Sequence, residues 1–203
     1  PGSGRLYAMS PSGLYQTRNA GATWAPVGAP PGFSGLDRLA AHPKDPDVLV
    51  VLGRMPGAAA ALGVAVTADG GLTWEAKRVC AGVDAVEGRA LFVHPANPAY
   101  IYACGVTWTG FWVKPGIYRS TNGGASWKDV TGGLTDPINA LAADPADPSK
   151  IYAATDNFIY RSSDAGGTWL AAAEFAYGYG LAVDPANPAT LFAGALKTVL
   201  KST

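Results

Sequence analysis

Charge is scarce in this chain of 203 residues: Asp, Glu, Lys and Arg make up 15%, against roughly 25% in an average globular protein. The few charges cancel, fifteen basic against fifteen acidic, so no whole-molecule field recruits nucleic acid or an anionic membrane. No apolar run approaches the roughly 20 residues of a membrane-spanning helix. Cysteine is limited to Cys80 and Cys104. Their spacing fits neither a metal site nor a redox motif, which leaves a disulfide or two buried thiols as the alternatives. Histidine is limited to His42 and His94. There is no N-x-[ST] acceptor, nucleophile elbow, phosphate loop or metal-ligand cluster, so no cofactor and no metal is expected. The opening Pro1-Gly2-Ser3-Gly4 reads as a processed or excised start, so the missing leader carries no information on compartment.

Turn formers and large aromatics are what the chain has in plenty: 26 Gly, 16 Pro, six Trp and nine Tyr. Many short strands joined by tight turns, with aromatic side chains filling the core, account for such a profile.

Internal repetition organises these residues. Four segments align on a terminal Trp: Thr17-Arg-Asn19-Ala-Gly21-Ala-Thr23-Trp24, Thr67-Ala-Asp69-Gly-Gly71-Leu-Thr73-Trp74, Ser120-Thr-Asn122-Gly-Gly124-Ala-Ser126-Trp127 and Ser162-Ser-Asp164-Ala-Gly166-Gly-Thr168-Trp169. A fifth copy begins at Lys201-Ser202-Thr203. The spacings from Trp24 to Trp74, to Trp127 and to Trp169 are 50, 53 and 42 residues, the length of one four-stranded blade or slightly more. In each copy the Asp or Asn can accept backbone N–H bonds across a hairpin, and Gly71 or Gly124 supplies a positive φ. The Trp is expected to be buried in its blade, anchoring the turn. One slot filled four times argues for a structural task, because catalysis needs asymmetry.

A second motif precedes each of the last four repeats: His42-Pro-Lys-Asp45-Pro46, His94-Pro-Ala-Asn97-Pro98, Asp144-Pro-Ala-Asp147-Pro148 and Asp184-Pro-Ala-Asn187-Pro188. Short strand-like runs flank it, such as Ile101-Tyr-Ala103 and Ile151-Tyr-Ala-Ala154, so it reads as a tight turn between two strands. His42 and His94 share a slot with Asp144 and Asp184, which makes them turn residues rather than a general base or metal pair.

Together, x-D-P-x-[ND]-P-x-x-[IL]-[YF]-A and G-[IV]-Y-R-S-x-[DN]-G-G-x-[ST]-W resemble the BNR/Asp-box β-propellers. The likeness is strongest to the sortilin and glycoside hydrolase family 74 (xyloglucanase-like) branch and to the photosystem II assembly-factor propellers. It covers nearly the whole chain. It implies an all-β fold, a β-propeller of four-stranded antiparallel blades with four to five blades present, part of a larger propeller. The boundaries are a partial blade at 1–32, blades at 33–82, 83–134 and 135–176, and a partial blade at 177–203. The structural Asp-box residues are Asn19, Trp24, Asp69, Trp74, Asn122, Trp127, Asp164 and Trp169. Completion by further blades is expected, because the two partial blades offer overlapping strands and leave edges unpaired; a strained five-blade ring and completion by a partner subunit are the alternatives.

With strands ordered from the axis outward, the Pro turn joins the first and second and the Asp-box joins the third and fourth, so both lie on one face. Extra length falls on the other face, between the second and third strands, at Gly53–Gly63 and Gly105–Pro115. Insertions confined to one face of a repeat protein mark its binding face. The second insertion carries Trp108, Phe111 and Trp112, which serve either as a platform for sugar rings or a protein partner, or as a cover for the next blade. Tyr177 and Tyr179 join them as ligand-binding candidates. Asp84, Glu87 and Asp136, in blade connections on that face, are candidates for a pair of carboxylates in glycoside hydrolysis.

These observations leave two main readings, beside an assembly factor like those of photosystem II, which no basic patch or partner motif favours. One is an extracellular, cell-surface or periplasmic binding or scaffold module recognising a polysaccharide or a protein ligand. The other is a glycoside hydrolase, since the resemblance to family 74 implies acidic residues in a cleft between two propellers.

Overall fold

A computed structural model of the chain describes residues 5–10, 13–57, 59–80, 85–174, 178–195 and 198–202. Among these residues there are eighteen strands and no helix. They form five antiparallel sheets in chain order. Sheet 1 holds β1 (Leu6–Ser10), β2 (Gly13–Thr17) and β3 (Ala25–Val27). Sheet 2 holds β4 (Gly35–Ala41), β5 (Leu49–Met55), β6 (Ala61–Thr67) and β7 (Glu75–Arg78). Sheet 3 holds β8 (Ala85–Val93), β9 (Ile101–Thr109), β10 (Trp112–Ser120) and β11 (Lys128–Asp129). Sheet 4 holds β12 (Ile138–Ala143), β13 (Ile151–Thr155), β14 (Phe158–Ser162) and β15 (Leu170–Glu174). Sheet 5 holds β16 (Gly180–Val183), β17 (Leu191–Ala195) and β18 (Thr198–Lys201).

Each sheet is an up-and-down meander, and the first strands β4, β8, β12 and β16 lie side by side in that order. The sheets therefore fan out from a common inner wall, as propeller blades do. Apolar residues at alternate strand positions fill the space between consecutive sheets. Leu14 with Val51 and Ala65 joins sheets 1 and 2, and Val50, Leu62, Val86 and Ile101 join sheets 2 and 3. Tyr102, Ile117, Ile138 and Ile151 join sheets 3 and 4, and Ile159 with Ala193 joins sheets 4 and 5. Central strands β5, β9 and β13 are buried on both faces, so they read as unbroken apolar runs. Outer strands such as β15 are exposed at every position.

The two repeated turns meet on one face. The Gly70 N–H donates to the Asp47 carbonyl at 2.8 Å, Gly123 to Ala99 at 3.0 Å and Ala165 to Ser149 at 2.8 Å. Each bond ties an Asp-box to the Pro turn of its own sheet. Inside the box, the Asp69 carboxylate accepts the backbone N–H groups of Leu72 and Thr73 and the Thr73 hydroxyl, while Thr67 Oγ1 accepts from Gly71 N. Asn19, Asn122 and Asp164 hold their loops the same way. Gly71 and Gly124 adopt φ of +93° and +95°, and Ala20 and Ala165 are the two described non-Gly residues at positive φ.

The histidines take the part that aspartate plays in later sheets. His94 Nδ1 accepts from Ala96 N and Asn97 N, as Asp144 Oδ1 does from Ala146 N and Asp147 N. His42 does the same for Lys44 and Asp45. Both cysteines are free thiols, Cys104 fully buried and Cys80 partly so. Burial pushes the Cys104 thiol up to about 12.

The expectation that the box tryptophans are buried needs correcting. Trp74, Trp127 and Trp169 are half-buried and Trp24 is 44% exposed. The Trp opens the outermost strand, where no further strand covers the ring. Their indole N–H groups still find carbonyls: Gly28 at 2.7 Å, Gly124 at 3.0 Å and Val130 at 2.9 Å. The first and third of these cross to the connection from the preceding sheet.

Candidate functional site

The face opposite the Asp-boxes carries the second-to-third-strand turns and the starts of the first strands. Its most prominent feature is the hairpin of β9 and β10, paired continuously from Ile101↔Ser120 to Thr109↔Trp112. Gly105–Pro115, read from sequence as a loop, is therefore strand except for the two-residue turn Gly110-Phe111. Gly110 has φ +60°, which the first central position of such a hairpin turn requires. Likewise Gly53–Gly63 is mostly the ends of β5 and β6. In both cases pairing with the neighbouring strand overrides the local Gly and Pro signals.

At the tip Phe111 is 103% exposed and Trp112 82% exposed, whereas Trp108 is half-buried. Alternation separates the two tryptophans. Trp108 pairs with Val113 and with Ala85, and Glu87 pairs with Val106, two positions along on the same side. Trp112 pairs with Thr109, on the side of Thr107 and Gly105, where a Cβ at Gly105 would meet Leu62 of sheet 2 at 3.0 Å. Trp108 thus belongs to the side facing sheet 4 and Trp112 to the side facing sheet 2. The aromatic trio is one exposed knob, Phe111 with Trp112, and a separate ring below it.

Beside the base of this hairpin runs a polar row missed by sequence reading. Register shifts mark a β-bulge in each of three first strands, and the bulged residues are Asp37, Arg89 and Asn139. Bulges re-aim side chains, and here two of the three bond to the next sheet. Asp37 Oδ2 accepts from Gly88 N at 2.9 Å, and Arg89 Nη1 donates to Asn139 Oδ1 at 3.0 Å. Asn139 Nδ2 in turn donates to Asp156 Oδ1 at 2.8 Å, and Asp37 pairs with Arg54 at 3.4 Å. Tyr179, 58% exposed, holds the corresponding slot in sheet 5. A signal was present: all four lie five residues before the first residue of a Pro turn.

The acidic candidates attach to this row. Glu87 lies within β8 rather than in a connection and pairs with Arg89 at 3.2 Å. Asp136 is in the connection before β12 and accepts from Asn157 Nδ2 at 3.0 Å. Asp84 and Tyr177 lie outside the described residues. Glu87 is 45% exposed and Asp136 half-buried. The two carboxylates sit at opposite ends of one polar network, through Arg89, Asn139 and the Asp156-Asn157 turn. No group of His, Cys, Asp and Glu suited to a metal ion occurs among the described residues. Among the described residues no helix is long and apolar enough to cross a membrane.

A search against family models gives no match. Among solved structures, an ancestral GH74 enzyme superposes with a TM-score of 0.72 at 19% identity, covering 94% of this chain and 26% of that one. The GH74 enzyme of Niastella koreensis gives 0.70 at 23%, covering 95% and 31%. The fold is that of the GH74 propellers. In sequence, a xyloglucanase of Hypocrea jecorina (strain QM6a) is 32% identical over 161 residues, 66% of this chain and 18% of that protein. The chain thus spans about a fifth of the length of the curated xyloglucanase it matches.

Proposed function

We propose that this chain is a glycan-binding segment of a GH74-like propeller, and that the face bearing Trp112 recognises a β-glucan of the xyloglucan type. The observation that carries the proposal is the Phe111-Trp112 knob, exposed at the tip of a continuously paired hairpin. An exposed ring of this kind presents a flat apolar surface to a sugar ring, and having only two side-chain torsions keeps the entropy cost small. The polar row of Asp37, Arg89 and Asn139 at the base of the same hairpin, with Arg54 and Glu87 paired to it, supplies donors and acceptors for hydroxyl groups further along the face. Likeness to a xyloglucanase selects the polymer class. A polymer of that size places the site of action outside the cell, at the cell surface or in the periplasm.

A second reading, hydrolysis of the bound glucan, is favoured by the same likeness. It requires two carboxyl groups at roughly 5–5.5 Å (retaining) or 6.5–9.5 Å (inverting) across the scissile bond. Glu87 and Asp136 are the described candidates, and each is engaged by a neighbouring side chain. Binding therefore precedes catalysis in our assignment. Incubation with xyloglucan, cellulose derivatives and unrelated polysaccharides, scoring retention and release of reducing ends, separates the two. Retention without release supports the binding role. Release abolished by Glu87→Gln or Asp136→Asn establishes the enzyme. Neither retention nor release by any polysaccharide overturns both.

A further inference from the structure

The sheets differ at one repeated position, and the sheet that differs borders an apolar cleft far from the Trp112 face. In the second and third strands of a sheet, cross-strand partners near the Asp-box end are Tyr7 with Gln16, Tyr102 with Arg119, Tyr152 with Arg161 and Phe192 with Lys201. Each is an aromatic ring opposite a long polar or cationic side chain. Sheet 2 breaks the pattern with Val50 opposite Val66.

At the neighbouring interfaces the aromatic side chain fills the gap to the next sheet. Tyr7 donates its hydroxyl to the Pro46 carbonyl at 2.8 Å. Tyr102 is fully buried, and its hydroxyl and Arg119 Nη1 converge on the Ala165 carbonyl at 3.3 and 2.7 Å. Between sheets 2 and 3 the valines stop short. What remains is a cavity of about 320 Å³, bounded among others by His42, Val50, Val66, Val93, Ile101 and Gly123. An apolar cavity of roughly 150 Å³ suffices to hold benzene. Gly123 is the residue of sheet 3 that corresponds to Ala165 in sheet 4. The wall of the cavity thus includes the residue whose counterpart accepts a tyrosine hydroxyl one interface further on.

We propose that the cleft between sheets 2 and 3, on the Asp-box side, is a binding slot for a small monophenol. The ring takes the place occupied by Tyr7 and Tyr102 at the adjacent interfaces, and the hydroxyl donates to the Gly123 carbonyl. The ring lies against the aliphatic walls of an open cleft, which favour any flat apolar group. The hydroxyl selects phenols over plain arenes, because the carbonyl offers an acceptor.

The test is a titration of the chain with 4-methylphenol, followed by methyl NMR of valine and isoleucine and by thermal melting. Saturable shifts centred on Val50, Val66, Val93 and Ile101, with a rise in Tm, are expected, with affinity near ~1 mM as befits so small a ligand. Toluene should bind about fivefold more weakly, the value of one neutral hydrogen bond. Val66→Arg restores the side chain that the repeat carries at this slot, and should abolish the shifts while leaving the fold intact. Should that variant not fold, Val66→Leu narrows the same slot and should weaken binding at least severalfold. No saturable shift at these four residues up to roughly 20 mM phenol overturns the proposal, as does undiminished binding by a folded Val66→Arg chain. Toluene binding as tightly as 4-methylphenol overturns the assignment of the hydroxyl to Gly123.

Discussion

Replacing Trp169 by alanine removes a ring that the structure holds from three directions. A Cβ on Gly132 would lie 2.8 Å from Trp169 Cδ1 and one on Gly166 would lie 3.4 Å from its Cζ2, so the indole rests directly against two glycine backbones. Its N–H donates to the Val130 carbonyl at 2.9 Å, and the ring packs on the core between sheets 3 and 4. A fully buried Trp covers about 200 Å². Trp169 is more buried than exposed, and about 100 Å² of lost apolar contact at ~25 cal/mol/Å² comes to ~2.5 kcal/mol. The lost hydrogen bond adds about 1 kcal/mol. The sum lies at the lower end of the ~3–5 kcal/mol seen for Trp→Ala in full cores, and lowers Tm by about 7–14 °C in a chain of this length. Trp169→Phe keeps most of the packing and should lose only ~1 kcal/mol. Trp24, 44% exposed at the equivalent position, should cost about half as much as Trp169 when changed to alanine. Calorimetric melting of the four proteins checks the series. A Trp169→Ala chain melting within 2 °C of wild type, or equal losses at Trp24 and Trp169, would refute the reasoning.

The remaining predictions concern the turns. Ala20 is exposed at φ +54°, a conformation that favours glycine, so Ala20→Gly should stabilise by about 0.5–1 kcal/mol by denaturant unfolding. Burial lowers the pKa of His94, so its neutral form belongs to the folded state. Its contribution is whole above the ordinary His value of ~6.5 and fades as pH falls below it. Tm should therefore drop between pH 7.5 and 5.5, and less steeply in His94→Asn, whose amide oxygen can accept the same turn N–H groups. Bonds from Thr168 N, Ser162 and the Thr168 hydroxyl hold the Asp164 carboxyl at about 2. The stability it gives is present above ~3.9 and lost as pH falls towards 2. Asp164→Asn, which copies Asn122, should fold normally at neutral pH and show a shallower acid limb in a pH–Tm profile.

The repeated turns were legible because they are local. Asp69, Gly71 and Trp74 sit within six residues of one another, and four copies at matching positions expose the shared hydrogen-bond pattern. His42 and His94 were legible for the same reason, since Asp144 and Asp184 stand in their slot and bond the same way. What depended on distant pairing was hidden. Gly105, Gly110 and Pro115 signal a loop locally, yet pairing of β9 with both β8 and β10 draws Gly105–Thr109 into strand. Trp108 and Trp112 look like one cluster in sequence and lie on opposite sides of the hairpin, because register decides the side. The bulges at Asp37, Arg89 and Asn139 are likewise a property of pairing, although a polar residue five positions before each Pro turn marks where they fall. Burial of the tryptophans was overestimated because a repeat fixes a residue's slot and says nothing of what covers it.

The most direct test of the account is electrophoresis of the chain and its Trp112→Ala variant through gels containing xyloglucan. The account predicts that xyloglucan retards the wild type, that Trp112→Ala migrates as in a gel without polymer, and that the two proteins melt within about 2 °C of each other, since Trp112 is 82% exposed and exposed side chains contribute little to folding. Equal migration of both proteins, with and without polymer, would contradict it.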